Sequence, residues 1–281
     1  MPAHSKGLEL HAWVNPYRIG NSAGFAKCSD YFLSGGKYYY NPASPAAQKL
    51  ILDGISEITR GYDVDGVQFD DYFYPADTAI IPTSGPAAFE KTAYNNYKSS
   101  GGKLGIADWR RQHVSALIAS AYSKVHDTRS GCVFGVSPRG VLSQSYSDLY
   151  ADVALWMKEK GYVDYICPQI YFGFLHSTRP FEKTLNDWIA MPRDSSVKLH
   201  IGFALHKIGI ASDEYAGTGG NEWATHDDIM KRSLQLVRAK PACGGVIFFS
   251  YKFFKPSLLP ESGSWSKAVA IREVENLLAV I

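Results

Sequence analysis

The chain has 281 residues, 46% hydrophobic and 20% charged, with a net charge of +2. That balance suits a single α/β domain over residues 1–281 with a sizeable core. A near-neutral chain without a lysine or arginine run offers nothing to nucleic acid, and without eighteen consecutive apolar residues it has no membrane insert.

The opening M-P-A-H-S-K-G lacks an apolar stretch of the signal-peptide kind. Cys28, Cys132, Cys167 and Cys243 show no C-x-x-C spacing and no nearby histidine pair, so no structural zinc site is expected.

Residues 8–14 (L-E-L-H-A-W-V) alternate as a strand does, and N-P-Y-R at 15–18 is its polar exit. A Gly- and Ser-containing loop is expected over 19–37. Ser44 then caps a helix with Pro45 in its first position, Leu50, Ile51, Ile55 and Ile58 at helical spacing, and Gly61 as its stop.

Residues 62–75 read Y-D-V-D-G-V-Q-F-D-D-Y-F-Y-P, a short buried strand around which the chain is organised. Val67 and Phe69 share one face, while Gly66, Gln68, Asp70 and Tyr72 share the other. With helices over the apolar face, Gln68 and Asp70 point into whatever the strand encloses. A buried carboxylate needs a hydrogen-bonded network or an open mouth, and two adjacent carboxylates beside an aromatic wall suit a sugar site; the lesser alternative is that Asp70 and Asp71 merely end a strand and cap a turn.

A long Pro-, Gly-, Ser-, Tyr- and Asn-rich loop up to about residue 107 reads as part of a binding wall. Asp108 is placed as the cap of a helix whose Val114, Leu117, Ile118 and Ala121 form an apolar stripe, and Arg111 as a helix-surface charge. The spacing then predicts a strand at 132–136 ending in S-P-R-G, a helix at 149–160, a strand at 161–173, a helix at 181–191, a strand at 198–204 and a Gly-rich loop at 208–221. Thr225 is expected to cap a helix running to 239, before a strand at 244–251 and a terminal helix at 264–278.

Strands alternating with helices indicate parallel βα units. Six strands with polar residues at their C-terminal ends fit a (β/α) TIM-type barrel better than an open sheet, and no Gly-rich phosphate loop follows any strand. At or just after those ends stand Trp13, Asn15, Arg18, Arg139, Gln169, Tyr171, Lys207 and Tyr251, each a candidate substrate contact or a plain loop hydrogen bond. His11 and His200 lie inside strands and read as core residues, whereas His206, near a strand end, is placed for acid or base chemistry.

H-A-W-V-N-P-Y-R, Y-D-V-D-G-V-Q-F-D-D-Y-F-Y-P, D-W-R-R, F-G-V-S-P, V-D-Y-I-C-P-Q-I-Y, I-G-F-A and G-G-V-I-F-F-S resemble, in order and spacing from about Ala3 onward, the glycosyl hydrolase-like 10 family. The resemblance implies a TIM-barrel glycoside hydrolase fold, a location outside the bacterial cytoplasm, and cleavage of peptidoglycan glycan strands stripped of stem peptide. Two βα units that family members carry before H-A-W are missing, so about six of eight units are expected, with barrel edges through which chains would self-associate. The segment after S-P-R-G is also shorter than in many members.

The resulting expectation is a glycoside hydrolase acting on a bacterial cell-wall or related amino-sugar polymer, without cofactor. Asp70 is its first catalytic carboxyl. Asp71 is the second, provided that a turn brings it to the same side; alternatively the substrate's acetamido group is the nucleophile, as D-G-x-x-x-D in chitinase-like enzymes suggests, although Tyr72 stands where those enzymes have glutamate. Gln68, Tyr72 and His206 join the substrate contacts, with Arg18 and Lys207 for an anionic sugar. Two other classes stay open: a silent glycan-binding protein, and a metal-dependent hydrolase using Asp70, Asp71 and a histidine.

Overall fold

The computed structural model describes residues 3–76, 89–259 and 264–281, so residues 77–88 of the expected binding-wall loop lie outside the described residues. Two compact units emerge, one of Met1–Pro138, Leu142–Ile166 and Pro192–Val197, the other of Arg139–Val141, Cys167–Met191 and Lys198–Ile281.

The first unit begins with strand β1 (His11–Val14) and a small antiparallel sheet of β2 (Arg18–Gly20), β3 (Tyr31–Ser34) and β4 (Lys37–Tyr40), in the order β2-β4-β3. This sheet stands where sequence reasoning put a loop at 19–37. Its signal was present: Y-F-L-S and K-Y-Y-Y flank Gly35-Gly36, whose φ values of 52° and 72° make the two-residue turn that such hairpins require.

Helix α1 (Pro45–Gly61) starts as expected, with the Ser44 hydroxyl accepting from the Ala47 amide. It buries Ala47, Ile51, Ile55 and Thr59 and packs on strand β5 (Gly66–Phe69). Helix α2 (Lys91–Ser99) lies within the segment expected to be loop. Helix α3 (Ile106–Thr128) follows Gly105, three residues earlier than an Asp108 cap would allow, so Asp108 instead pairs within the first turn with Arg111 at 2.7 Å.

Strand β6 (Val133–Val136) leads to helices α4 (Leu142–Asp148) and α5 (Val153–Lys158), then to β7 (Tyr165–Ile166). The helix expected at 149–160 starts only at Val153, because Tyr150 adopts φ 53° and the Asp152 carboxylate caps α5 through the Leu155 amide; the separate helix α4 precedes it.

β1, β5, β6 and β7 form a parallel array in that order. Val67, Phe69, Phe134 and Val136 are fully buried on the face beneath α1 and α3. The other face carries Trp13, Gln68, Gly135 and Tyr165 in one register row. The Tyr165 ring lies across Gly135, and its hydroxyl donates to Gln68 Oε1 at 3.2 Å while meeting His11 Nδ1 at 3.0 Å. Alternating large and small residues across neighbouring strands is how barrel interiors fill. A Cβ at position 135 would stand 2.1 Å from Tyr165 Cζ. Gly135→Val is therefore expected to lower unfolding free energy by about 3 kcal/mol in a urea titration.

The second unit contains β8 (Gln169–Ile170), α6 (Phe181–Ile189), β9 (Lys198–Phe203), α7 (Glu222–Thr225), α8 (Ile229–Arg238), β10 (Gly245–Phe248) and α9 (Lys267–Leu278). β8 and β10 both pair with β9 in parallel. The strand expected at 161–173 is interrupted at Cys167 and Pro168, where proline has no N–H for the ladder, so β7 belongs to one unit and β8 to the other.

Thr225 closes α7 instead of capping α8. The first amides of α8, on Ile229 and Met230, are taken by the Glu273 carboxylate from α9, at 3.1 Å for Ile229. Burial pushes that carboxyl up to about 7.

Candidate active site

β5 ends at Phe69 and the chain turns at once. The Tyr72 amide donates to Asp70 Oδ1 at 3.3 Å, and the Phe73 amide donates to the Asp71 carbonyl at 2.9 Å. The chain therefore does not continue extended past Asp70. The proximity of Asp70 and Asp71 is felt electrostatically, since the Asp71 charge raises the Asp70 pKa.

Asp70 is 2% exposed, and three side chains of the segment running from β1 to the start of β2 stand near it. The Asn15 amide, with its nitrogen facing the carboxyl, donates to both oxygens, at 3.1 Å for Oδ1. The Trp13 indole also donates to it, while the Trp13 ring remains 56% exposed. The Arg18 guanidinium lies 4.1 Å from the centroid of the Tyr72 ring and adds positive charge near the carboxyl.

Burial first, and the charge on Asp71 second, push the Asp70 carboxyl from its ordinary 3.8 up to about 7; the Tyr72 amide, the Trp13 indole and Arg18 pull the other way. The result is a carboxyl that still holds a proton near neutrality and can release it. Asn15 hydrogen-bonds the ionised form and so belongs with the opposing group. Asn15→Leu is expected to raise the Asp70 titration on the order of one pH unit, read by carboxyl carbon NMR; an unmoved or lowered midpoint would contradict this role.

Behind the turn, Phe73 and Tyr74 are completely buried. Tyr74 meets Tyr150 edge-on at 5.1 Å, and Arg110 lies 5.5 Å and 4.9 Å from the two ring centroids. Arg110 Nε bonds both Glu90 oxygens at 2.9 Å, and its terminal nitrogen donates to the Tyr150 hydroxyl at 2.8 Å. The motif D-W-R-R thus supplies a buried cation at Arg110. Sequence reasoning attended to Asp108 and Arg111 and missed this anchor, because the helical stripe it followed was apolar.

Trp13, Asn15, Arg18, Asp70, Asp71 and Tyr72 are therefore brought together in the first unit, while Gln68 is engaged one row deeper with Tyr165.

The remaining candidates belong to the second unit. Arg139 and Gln169 face each other across a parallel bridge. Lys207 Nζ donates to the Tyr171 carbonyl at 2.9 Å and to the buried Asp213 carboxylate at 2.6 Å, so its charge is matched within the protein. His206 sits 5.0 Å from the Tyr171 ring and 5.3 Å from Phe249. Tyr251 is 74% exposed, its ring 6.4 Å from Phe254. Asp213 and Phe249 were not singled out from the sequence: Asp213 lies in a Gly-rich loop without periodicity, and Phe249 reads as the end of an apolar strand.

Among the described residues no group of three or more His, Cys, Asp or Glu could hold a metal ion. No helix among them is long and apolar enough to cross a membrane.

The model of the glycosyl hydrolase-like 10 family matches residues 14–217. Glycosyl hydrolase DigH of Escherichia coli strain K12 is 30% identical over 282 residues, covering 88% of this chain and 61% of the relative. Glycosyl hydrolase YngK of Bacillus subtilis strain 168 is 31% identical over 278 residues, covering 89% and 51%. The chain thus spans little more than half the length of these relatives. Among solved structures, the PgaB (BpsB) glycoside hydrolase domain from Bordetella bronchiseptica superimposes with a TM-score of 0.55 at 16% identity, over 96% of this chain and 76% of that one. Alpha-L-fucosidase isoenzyme 2 from Paenibacillus thiaminolyticus gives 0.54 at 12% identity, over 99% and 38%. These likenesses are of fold, the α/β TIM-type barrel class read from the sequence.

Proposed function

Because the chain belongs to the glycosyl hydrolase-like 10 family, we propose that it hydrolyses O-glycosidic bonds in a polysaccharide, with Asp70 as the proton donor. The observation that carries this reading is the buried Asp70 carboxyl, raised to about 7 beside a second carboxylate. Breaking a glycosidic bond requires a proton on the departing oxygen and a negative group to meet the positive charge that develops on the sugar ring. Asp70 holds that proton near neutral pH. Asp71, the adjacent carboxylate, is the second group in this reading.

Trp13 offers a ring face for a sugar to stack on while its N–H orients Asp70. Asn15 takes a positioning role in place of the direct substrate contact expected from sequence. Arg18, held over Tyr72, supplies positive charge at the rim. The substrate we propose is an amino-sugar polymer of the bacterial cell envelope, such as peptidoglycan strands without stem peptide, met outside the cytoplasm.

The test is mass spectrometry of peptide-free glycan strands incubated with the chain and, separately, with folded Asp70→Asn. New chain ends with the parent alone support the reading. Binding without cleavage by the folded parent would replace it with glycan binding.

A further inference from the structure

We propose that His206 is the hydrogen-bond acceptor of a subsite for the acetamido group of a sugar, built within the second unit. The inference rests on the glycan reading above but names the group recognised and the residue that recognises it.

His206 follows β9, Tyr171 follows β8 and Phe249 follows β10, so three parallel strands deliver these side chains from their C-terminal ends. The His206 backbone N–H donates to the Phe249 carbonyl at 2.8 Å, and ring Nδ1 stands 3.1 Å from the same oxygen. A carbonyl oxygen only accepts, so Nδ1 carries the ring proton and Nε2 of the neutral ring carries the lone pair. Burial, the largest influence, lowers the pKa of this imidazole below its ordinary 6.5 and keeps the ring neutral at neutral pH. Among the described residues Nε2 makes no hydrogen bond, and it is not one of the buried atoms lacking a partner. It is an accessible acceptor with nothing yet to accept from.

Its surroundings select the donor. The Tyr171 and Phe249 rings lie 6.2 Å apart at 24°, nearly parallel, and the imidazole stands at 74° and 81° to them. Phe253 approaches at 6.4 Å. A lone pair framed by aromatic rings repels a carboxylate and gives a hydroxyl only half of what it could use. An acetamido group fits both features, its N–H donating to Nε2 and its methyl resting on the rings.

The subsite is braced from behind. Lys207 ties the Tyr171 carbonyl to the buried Asp213, holding the Tyr171 ring against the imidazole. With its charge matched there, Lys207 acts as a brace.

The test is calorimetric titration of Asp70→Asn, which does not consume ligand, with a chito-oligosaccharide and with the cello-oligosaccharide that carries hydroxyls in place of acetamido groups. We expect about a tenfold preference for the acetamido chain. That preference should vanish in Asp70→Asn with His206→Phe, which keeps a ring but has no acceptor. It should survive in Asp70→Asn with His206→Gln, whose amide oxygen restores one. Equal affinities before His206 is changed, or an undiminished preference in the folded His206→Phe protein, overturn the subsite. Preferential binding by a parent that cleaves no glycan would sink the hydrolase reading and leave the subsite standing; Asp70-dependent cleavage without any His206 effect would do the reverse.

Discussion

Asp70→Asn is expected to lower glycan cleavage about 10²- to 10⁴-fold, the usual contribution of a positioned acid, while making the folded protein more stable at and above pH 7. The two effects share one cause. The folded protein holds the Asp70 proton up to about 7, whereas the unfolded chain releases it near 3.8. Stability from that proton is complete below the unfolded value and is lost as pH rises through the folded one. The parent therefore weakens progressively between about pH 4 and pH 7, by an amount on the order of 4 kcal/mol. Asparagine does not titrate, so the variant escapes the decline. Urea titrations of both proteins at pH 5 and pH 8 measure it. A variant that loses activity yet gains nothing on the parent between those pH values would show that Asp70 is ionised in the folded protein, and the proton-donor role would fall with it.

Arg110→Met is expected to cost about 3–5 kcal/mol of stability, because it leaves the Glu90 carboxylate buried without its counter-charge. Glu90 and Arg110 are 4% and 3% exposed, so water reaches neither well enough to screen the loss. Burial already pushes the Glu90 carboxyl up, with Arg110 the main force drawing it back. The double variant Glu90→Leu with Arg110→Met removes both charges and is expected to recover most of the loss. Equilibrium unfolding of the three proteins decides it; a double variant as unstable as the single one would mean that Arg110 acts through packing on Tyr74 and Tyr150. Since Tyr74 ends the turn bearing Asp70 and Asp71, loosening this anchor should also reduce activity without altering the carboxyls.

Legibility tracked how local each feature is. Helix α1 was readable from Ser44 to Gly61 because cap, proline and apolar spacing all lie within one stretch. The β3–β4 hairpin was equally local and was passed over, although Gly35-Gly36 between two aromatic runs announces it. The late start of the 149–160 helix, at Val153, was not readable, since Tyr150 is held outside it with its hydroxyl against Arg110, 40 residues earlier. Thr225 looked like a cap because the residue type favours that position, but Glu273, more than 40 residues later, supplies the carboxylate that α8 uses.

In the site, Asp70 stood out because a strand with one apolar and one polar face leaves its terminal carboxylate inside. Arg18 and Lys207 looked alike in sequence, a cation just past a strand. Only the fold separates them, placing Arg18 over Tyr72 by the buried carboxyl and pairing Lys207 with Asp213.

By itself the sequence determined where most of the parallel strands fall, which residues stand at their C-terminal ends and which family the chain belongs to. These are written in periodicity and in the order of short motifs, which neighbouring residues carry between them. The tertiary structure decided which charges are available for chemistry. Burial raises Asp70 to about 7, Asp213 takes up Lys207, and Glu90 holds Arg110 across 20 residues of chain. Desolvation and charge pairing depend on what surrounds a group in space, and no spacing along the chain records that.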